Sequence, residues 1–219
     1  SMVLTDFYEI RAIALILTIC VVTIGTIVFI KNGVLKVKLI WPFFVLSIPL
    51  AYFGAQLKLS QSIFFLILGG ALVLAGAFML LQFVTSKIRS REFSASKKIW
   101  LGGSVGLLSG ISGIGGGIFL SPLLNLLKWK DPRVIASLAS VFILVNSIAG
   151  LIGLQVAGTF RPDYDLLVKL IIAVVLGGSL GSYLSIKQFN LKVLGILTAI
   201  LVFYVGIKMI LVYGFRIHI

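Results

Sequence analysis

Ser109, Ser112 and Ser121 flank a cluster of glycines, Gly113, Gly115, Gly116 and Gly117, within the stretch "LGGSVGLLSGISGIGGGIFLSPLL", Leu101 to Leu124. Eight of the 23 glycines fall in the 16 positions from Gly102 to Gly117. Glycine weakens a helix interior by about 1 kcal/mol relative to alanine, so "GIGGG" is a poor place to continue a helix. Pro122 suits the first turns of a second helix, where its missing N–H costs little. A helix broken here exposes amide N–H groups and the positive end of a helix dipole, and both attract an anion. Glycine lets those amides reach a ligand with no side chain between, and the serine hydroxyls add donors. Upstream, Gly102, Gly106 and Gly110 form a small-residue row that permits close approach of another helix. A second polar group follows in Ser137, Ser140, Asn146 and Ser147. Ser137 and Asn146 join the candidate ligands of the glycine break, although Asn146 serves equally well as a helix–helix hydrogen-bond partner.

Other chemistries find little support. The acidic residues Asp6, Glu9, Glu92, Asp131, Asp163 and Asp165 fall in loops or at the ends of apolar runs, whereas a cation site or carboxylate proton relay needs one deep in a span. Cys20 is the lone cysteine and lies in an apolar run, and His218 is the lone histidine, near the C-terminus. No metal site, cofactor motif or nucleophile–base pair results, so the reading is of a protein that is not an enzyme.

The elements that must position the glycine break are membrane spans. The chain has 219 residues, is 60% hydrophobic and has a mean hydropathy of +1.19. Apolar runs long enough for a hydrocarbon core recur throughout, predicting an all-α, polytopic transmembrane bundle. Spans are expected at Ala12–Ile30, Leu39–Leu57, Ser62–Phe83, Val134–Val156, Leu166–Ile186 and Leu191–Tyr213. The glycine segment, Ile99 to Trp129, would be about 46 Å long as one helix, well beyond a core of about 30 Å. Two half-helices broken at Gly113–Gly117 fit better. "GAQLKLSQ" (Gly54–Gln61) and "GSYLSIKQ" (Gly181–Gln188) occupy matching places, which points to a duplication. The division is a first repeat at 1–86, a basic cytoplasmic linker at 87–98 and a second repeat at 99–219.

The net charge of +13 belongs with loops and anionic membrane lipid rather than nucleic acid. If the glycine segment is re-entrant, the basic loops Lys31–Lys38, Lys87–Lys98, Lys128–Arg133 and Lys187–Lys192 share one side and hold 13 of the 19 Lys and Arg. Arg11, Lys58, Arg161 and Arg216 are left opposite, and Lys169 and Lys208 are expected to snorkel from within spans. A single crossing gives a weaker split, so the positive-inside rule favours a re-entrant segment between inverted repeats of three spans.

"GLLSGISGIGGGIFLSPLL" (Gly106–Leu124), followed by the small-residue stretch "IASLAS" (Ile135–Ser140), resembles the TauE/SafE sulfite exporter family of membrane permeases. The resemblance implies two inverted repeats, a glycine motif in each half beside the transport site, and small anions such as sulfite and organosulfur compounds as cargo. One departure stands out. The first half opens on "SMVLTDFYEIR" directly before its first span, and its "AIALIL" lacks the serines of "ASLASV". Its motif copy is therefore expected to be degenerate or to lie on a segment absent from this chain, and Ser1–Met2 reads as an appended remnant.

The function expected is a secondary transporter for a small anion (sulfite, sulfoacetate, thiosulfate or similar) in the cell's inner membrane, with a homodimer as one possible assembly. A passive anion channel with the broken helix as its filter, or a non-transporting membrane partner, are the alternatives.

Overall fold

The computed structural model describes residues 7–35, 37–84, 92–160, 162–188 and 191–214. Lys36, residues 85–91 of the basic linker, Arg161, Arg216 and His218 lie outside them. The described residues form helices α1 (Phe7–Lys31), α2 (Val37–Ile40), α3 (Pro42–Gln56), α4 (Gln61–Val84), α5 (Ala95–Ser112), α6 (Gly117–Leu126), α7 (Pro132–Val156), α8 (Tyr164–Gln188) and α9 (Leu191–Gly214). Four have the length and apolar composition to cross a membrane: Glu9–Lys31, Gln61–Gln82, Pro132–Val156 and Gly195–Gly214. The run expected as one span at Leu39–Leu57 is divided. Pro42 opens α3 and separates it from the single turn of α2, leaving α3 with 15 residues, about 22 Å.

Helices α3 and α5 run parallel and make the closest contact in the bundle. Gly102 lies on Phe43, Gly106 on Ser47 and Gly110 on Ala51, each glycine touching backbone of α3. Helix α7 lies parallel to α3 on another side, with the Phe44 and Phe142 rings 5.9 Å apart and Gly153 against Tyr52. Helices α1 and α7 are antiparallel: Gly150 packs on Leu15, and Gly25 approaches Ser140. Helices α4 and α9 pair antiparallel through Gly69, Gly76 and Gly206. Helix α8 packs on α1 at the periphery.

These contacts show that the glycine segment turns back. Helix α5 passes Phe43, at the start of α3, with Gly102 two turns after its own start, and runs toward the far end of the bundle. Helix α6 returns, so that Trp129, just beyond it, packs edge-on against the same Phe43 with ring centroids 5.1 Å apart. Both arms therefore end on one face of the bundle. There Lys130 forms an ion pair with Glu92 at 2.9 Å, and Lys97 and Lys98 lie over the rings of Phe93 and Trp129. The Lys130 ammonium holds the Glu92 carboxyl below its ordinary value of 4.5 through a hydrogen bond and direct attraction, helped by Lys98. Lys31, Lys38, Lys128 and Arg133 adjoin helix ends on this same face, called the basic end below. Arg11, Lys58 and Lys169 sit toward the other end. Lys169 pairs with Asp165 one helical turn away, and both Lys169 and Lys208 are exposed.

Candidate functional site

Three glycines in the left-handed backbone region make the break. Gly113 ends α5 with φ of 72° and its N–H on the Ser109 carbonyl. Gly115 and Gly116 follow at 76° and 78°, and Gly116 caps the start of α6. Side-chain-bearing residues adopt this region only at a cost of roughly 1–2 kcal/mol, which explains three glycines in four positions. Gly117 is the first residue of α6 rather than part of the turn. Pro122 lies in the second turn of α6, and the Asn125 amide donates to the Ser121 carbonyl beside it at 2.9 Å.

The break is lined from three directions. A Cβ added to Gly115 would stand 2.7 Å from both Ile143 Cγ2 and Ser147 Oγ, and 3.3 Å from Thr18 Cγ2. At Gly116 it would stand 3.0 Å from Ser109 Cβ and 3.1 Å from the Phe142 ring. Gly117 is pressed against Ile143. Helices α1, α5 and α7 thus converge on the turn, with no room there for side chains.

Polar groups gather around it without partners. Among the described residues, the hydroxyls of Ser47, Ser109 and Ser147 and Oδ1 of Asn146 are buried and unpaired. The Asn146 Nδ2 donates to the Phe142 carbonyl at 2.8 Å, which holds the side chain and leaves Oδ1 available. The Phe44–Phe142 ring pair sets α3 and α7 in register and brings Ser47 to the level of Asn146. Ser47 in turn abuts Gly106, less than one turn of α5 from Ser109. Each buried polar group without a partner costs about 1–3 kcal/mol, so a concentration of them asks for an explanation. Helix α6 adds Gly117 and Ile118, whose N–H groups have no acceptor inside their own helix, as at every helix start.

Of the candidate ligands, the structure brings together Ser109, Gly113, Gly115, Gly116 and Gly117. Asn146 is buried one turn of α7 beyond Phe142, which touches the break. Ser112 lies in the last turn of α5, where its hydroxyl contacts the Ser109 carbonyl at 3.5 Å. Ser137 is different: its hydroxyl donates to Val134 at 2.9 Å on its own helix, nearly two turns of α7 from Ile143. Four residues outside the candidate set enter the surroundings, Ser47 among them. Ser147 and Thr18 face Gly115, and Ser147 could have been found from its place beside Asn146 in mid-span. Arg11, expected in a loop, lies instead in the second turn of α1 and is 1% exposed. No sequence signal distinguishes it from an interfacial cation.

Residues 2–209 match the sulfite exporter TauE/SafE family. The chain belongs to this family. A probable membrane transporter protein of Sinorhizobium fredii is 28% identical over 220 aligned positions, covering 96% of this chain and 87% of the relative. A probable membrane transporter protein of Methanocaldococcus jannaschii is 31% identical over 136 positions, covering 60% of this chain and 51% of that protein. One from Haemophilus influenzae is 27% identical, covering 88% and 74%. No solved structure matches the chain significantly. The TauE/SafE chain is thus a multi-pass membrane protein of a permease family, with an all-helical bundle around a broken helix.

Proposed function

We propose that this TauE/SafE protein is a secondary transporter for a small oxyanion, sulfite or an organosulfur anion, held at the break between α5 and α6. The observation that carries this reading is the set of unpaired buried polar atoms: Ser109 and Ser147 against the positive-φ glycines, Asn146 next in chain to Ser147, and Ser47 on Gly106 of α5. Three of the four groups can donate a hydrogen bond, and the start of α6 adds amide donors and a positive dipole end. Asn146 Oδ1 accepts only, so it suits an oxyanion that carries a proton. Irregular backbone inside a membrane protein is tolerated where protein buries it or where it lines a cavity. Here protein buries it, since α1, α5 and α7 pack against Gly113, Gly115 and Gly116. A cavity of about 180 Å³ between α4 and α6 is lined by Met79, Gln82, Gly117, Ile118, Ser121, Pro122 and Asn125, and reaches the first residues of α6.

The same reading takes residues 1–86 and 99–219 as inverted repeats, with alternating access by rocking of one against the other. The antiparallel pairing of α1 with α7 and of α4 with α9 supports it, since inverted copies of one helix meet antiparallel across their axis.

Purified protein in liposomes is expected to carry radiolabelled sulfite with saturation and counterflow. Sulfite, thiosulfate or sulfoacetate should also raise the melting temperature, while chloride should not. A ligand at 100 times its Kd adds about 2.7 kcal/mol to stability. Absence of both flux and stabilisation for every oxyanion would sink the proposal.

A further inference from the structure

Arg11 occupies the far side of the break from the basic end. Its Nη2 donates to two carbonyls, Gly110 at 2.8 Å and Ala55 at 3.0 Å. These carbonyls belong to the last turns of α5 and α3, where helix dipoles are negative and a cation is stabilised. The guanidinium carbon lies 5.7 Å from the centre of the Phe64 ring of α4. Gly113 is pressed on the Arg11 stem, where an added Cβ would stand 3.2 Å from both Cα and Cβ of Arg11. One buried cation therefore joins α1, α3, α4 and α5 at the point where α5 stops.

Its position along the bundle is fixed by α1. Thr18 faces Gly115 at the break, Leu15 packs on Gly150, and Arg11 lies seven residues before Thr18, about 10 Å further along the helix. Beside it, Ala12, Leu15, Ala55 and Leu154 form a fully buried apolar cluster. The two approaches to the break are therefore unlike. The α4–α6 cavity reaches the first residues of α6 on one flank of it, and the Arg11 clasp with its apolar cluster closes it toward the non-basic end.

We infer that Arg11 is a second oxyanion station and the gate at that end of the path. This rests on the oxyanion reading of the break. A guanidinium presents paired N–H donors that match two oxygens of one oxyanion, a bidentate ion pair that two separate neutral carbonyls cannot offer. An oxyanion leaving the break takes the donors of Arg11 away from Gly110 and Ala55. Losing that clasp frees the end of α5 from α3 and opens the apolar cluster to water. Chloride has no pair of oxygens to present, so it exchanges poorly. Arg11 acts in both steps by its charge and its fork.

The test uses Cys20, the chain's single cysteine. In a Cys20→Ser background, Leu15→Cys places a thiol in the apolar cluster in a smaller volume than the leucine. Liposomes carrying this protein are treated with a membrane-impermeant methanethiosulfonate from each side. The thiol is expected to be unreactive without anion, and to react from the non-basic side when sulfite, but not chloride, is added. Adding Arg11→Met should leave the thiol reactive without any anion and insensitive to sulfite. Arg11→Lys should keep sulfite-dependent labelling but lose the preference for sulfite over chloride. Labelling that is identical in Arg11→Met and its parent overturns the inference, as does a parent thiol that sulfite never exposes. The second outcome is read without any Arg11 variant, so poor folding of those variants leaves the test intact. Sulfite-dependent melting of the parent is scored alongside. Stabilisation without labelling rejects the gate and keeps the oxyanion site, whereas loss of stabilisation and flux together rejects the site itself.

Discussion

Gly110 lies so close to α3 that a Cβ added to it would stand 2.1 Å from the Ala51 carbonyl oxygen. No backbone tolerates that approach, so α3 and α5 must separate to accept even one methyl group. Gly110→Ala should therefore destabilise the protein by at least about 1–3 kcal/mol, the usual cost of overpacking. Gly70 and Gly177 have nothing within 4 Å of an added Cβ. Alanine at either should be neutral or stabilising by up to about 1 kcal/mol through helix propensity alone. Thermal unfolding in detergent compares the three. Equal melting for Gly110→Ala and Gly70→Ala would count against the parallel α3–α5 contact.

Ser109 and Ser147 separate stability from binding. Their hydroxyls are buried and unpaired, so Ser109→Ala and Ser147→Ala should leave folding unchanged or improve it by about 1 kcal/mol. If these hydroxyls hold the oxyanion, each substitution should also weaken it about tenfold, equivalent to one lost hydrogen bond of about 1.4 kcal/mol. Sulfite-dependent melting measures both quantities in one titration. Affinity unchanged in both variants would remove the serines from the site.

Gly116 carries two demands at once. Its φ is 78°, and an added Cβ would press on Ser109 and Phe142. Gly116→Ala should lose about 1–2 kcal/mol from the left-handed backbone alone. Gly116→Leu should in addition fill the turn and abolish anion-dependent stabilisation. Retained sulfite stabilisation in a folded Gly116→Leu protein would place the ligand elsewhere.

The Glu92–Lys130 pair makes the hairpin's link at the basic end dependent on pH. Lys130 lowers the Glu92 pKa in the folded protein, so the contribution is present above the ordinary value of 4.5 and is lost as pH falls through the lower, folded value. Both side chains reach solvent, so the effect is small and screened by salt. Glu92→Gln should remove that acid-side loss while leaving melting at pH 7 nearly unchanged. A strong destabilisation at neutral pH would show that the pair holds more than the two arms of the hairpin.

Much of the architecture was legible because apolar length and glycine chemistry are local. The seven apolar segments appear as helices, and "GIGGG" marks the break because Gly113, Gly115 and Gly116 need a backbone region open to glycine. The return of α6 was readable from where Lys and Arg fall, since charge in loops reports which ends share a side. What escaped were contacts made across the fold. Arg11 precedes an apolar run and reads as an interfacial cation, and only the convergence of α3 and α5 turns it into a buried clasp. Ser47 gave no sign of itself, because its level beside Asn146 depends on how α3 and α7 slide together. The shortening of the second span to α3 has a visible cause in Trp41–Pro42: the proline lacks the N–H that would carry α2 on into α3, a break that continuous hydropathy does not register.

The hairpin also constrains how the polypeptide is made. At ten residues, α6 is about 15 Å long, roughly half the thickness of a hydrocarbon core, and could not be released into lipid as a finished span. Its backbone becomes sheltered only when α4, synthesised earlier, and α7, synthesised later, flank it on both sides. Nascent chains must therefore keep α5 and α6 out of bare lipid until α7 has emerged from the ribosome. Assembly of this region is accordingly a late, cooperative event in biogenesis rather than a helix-by-helix insertion.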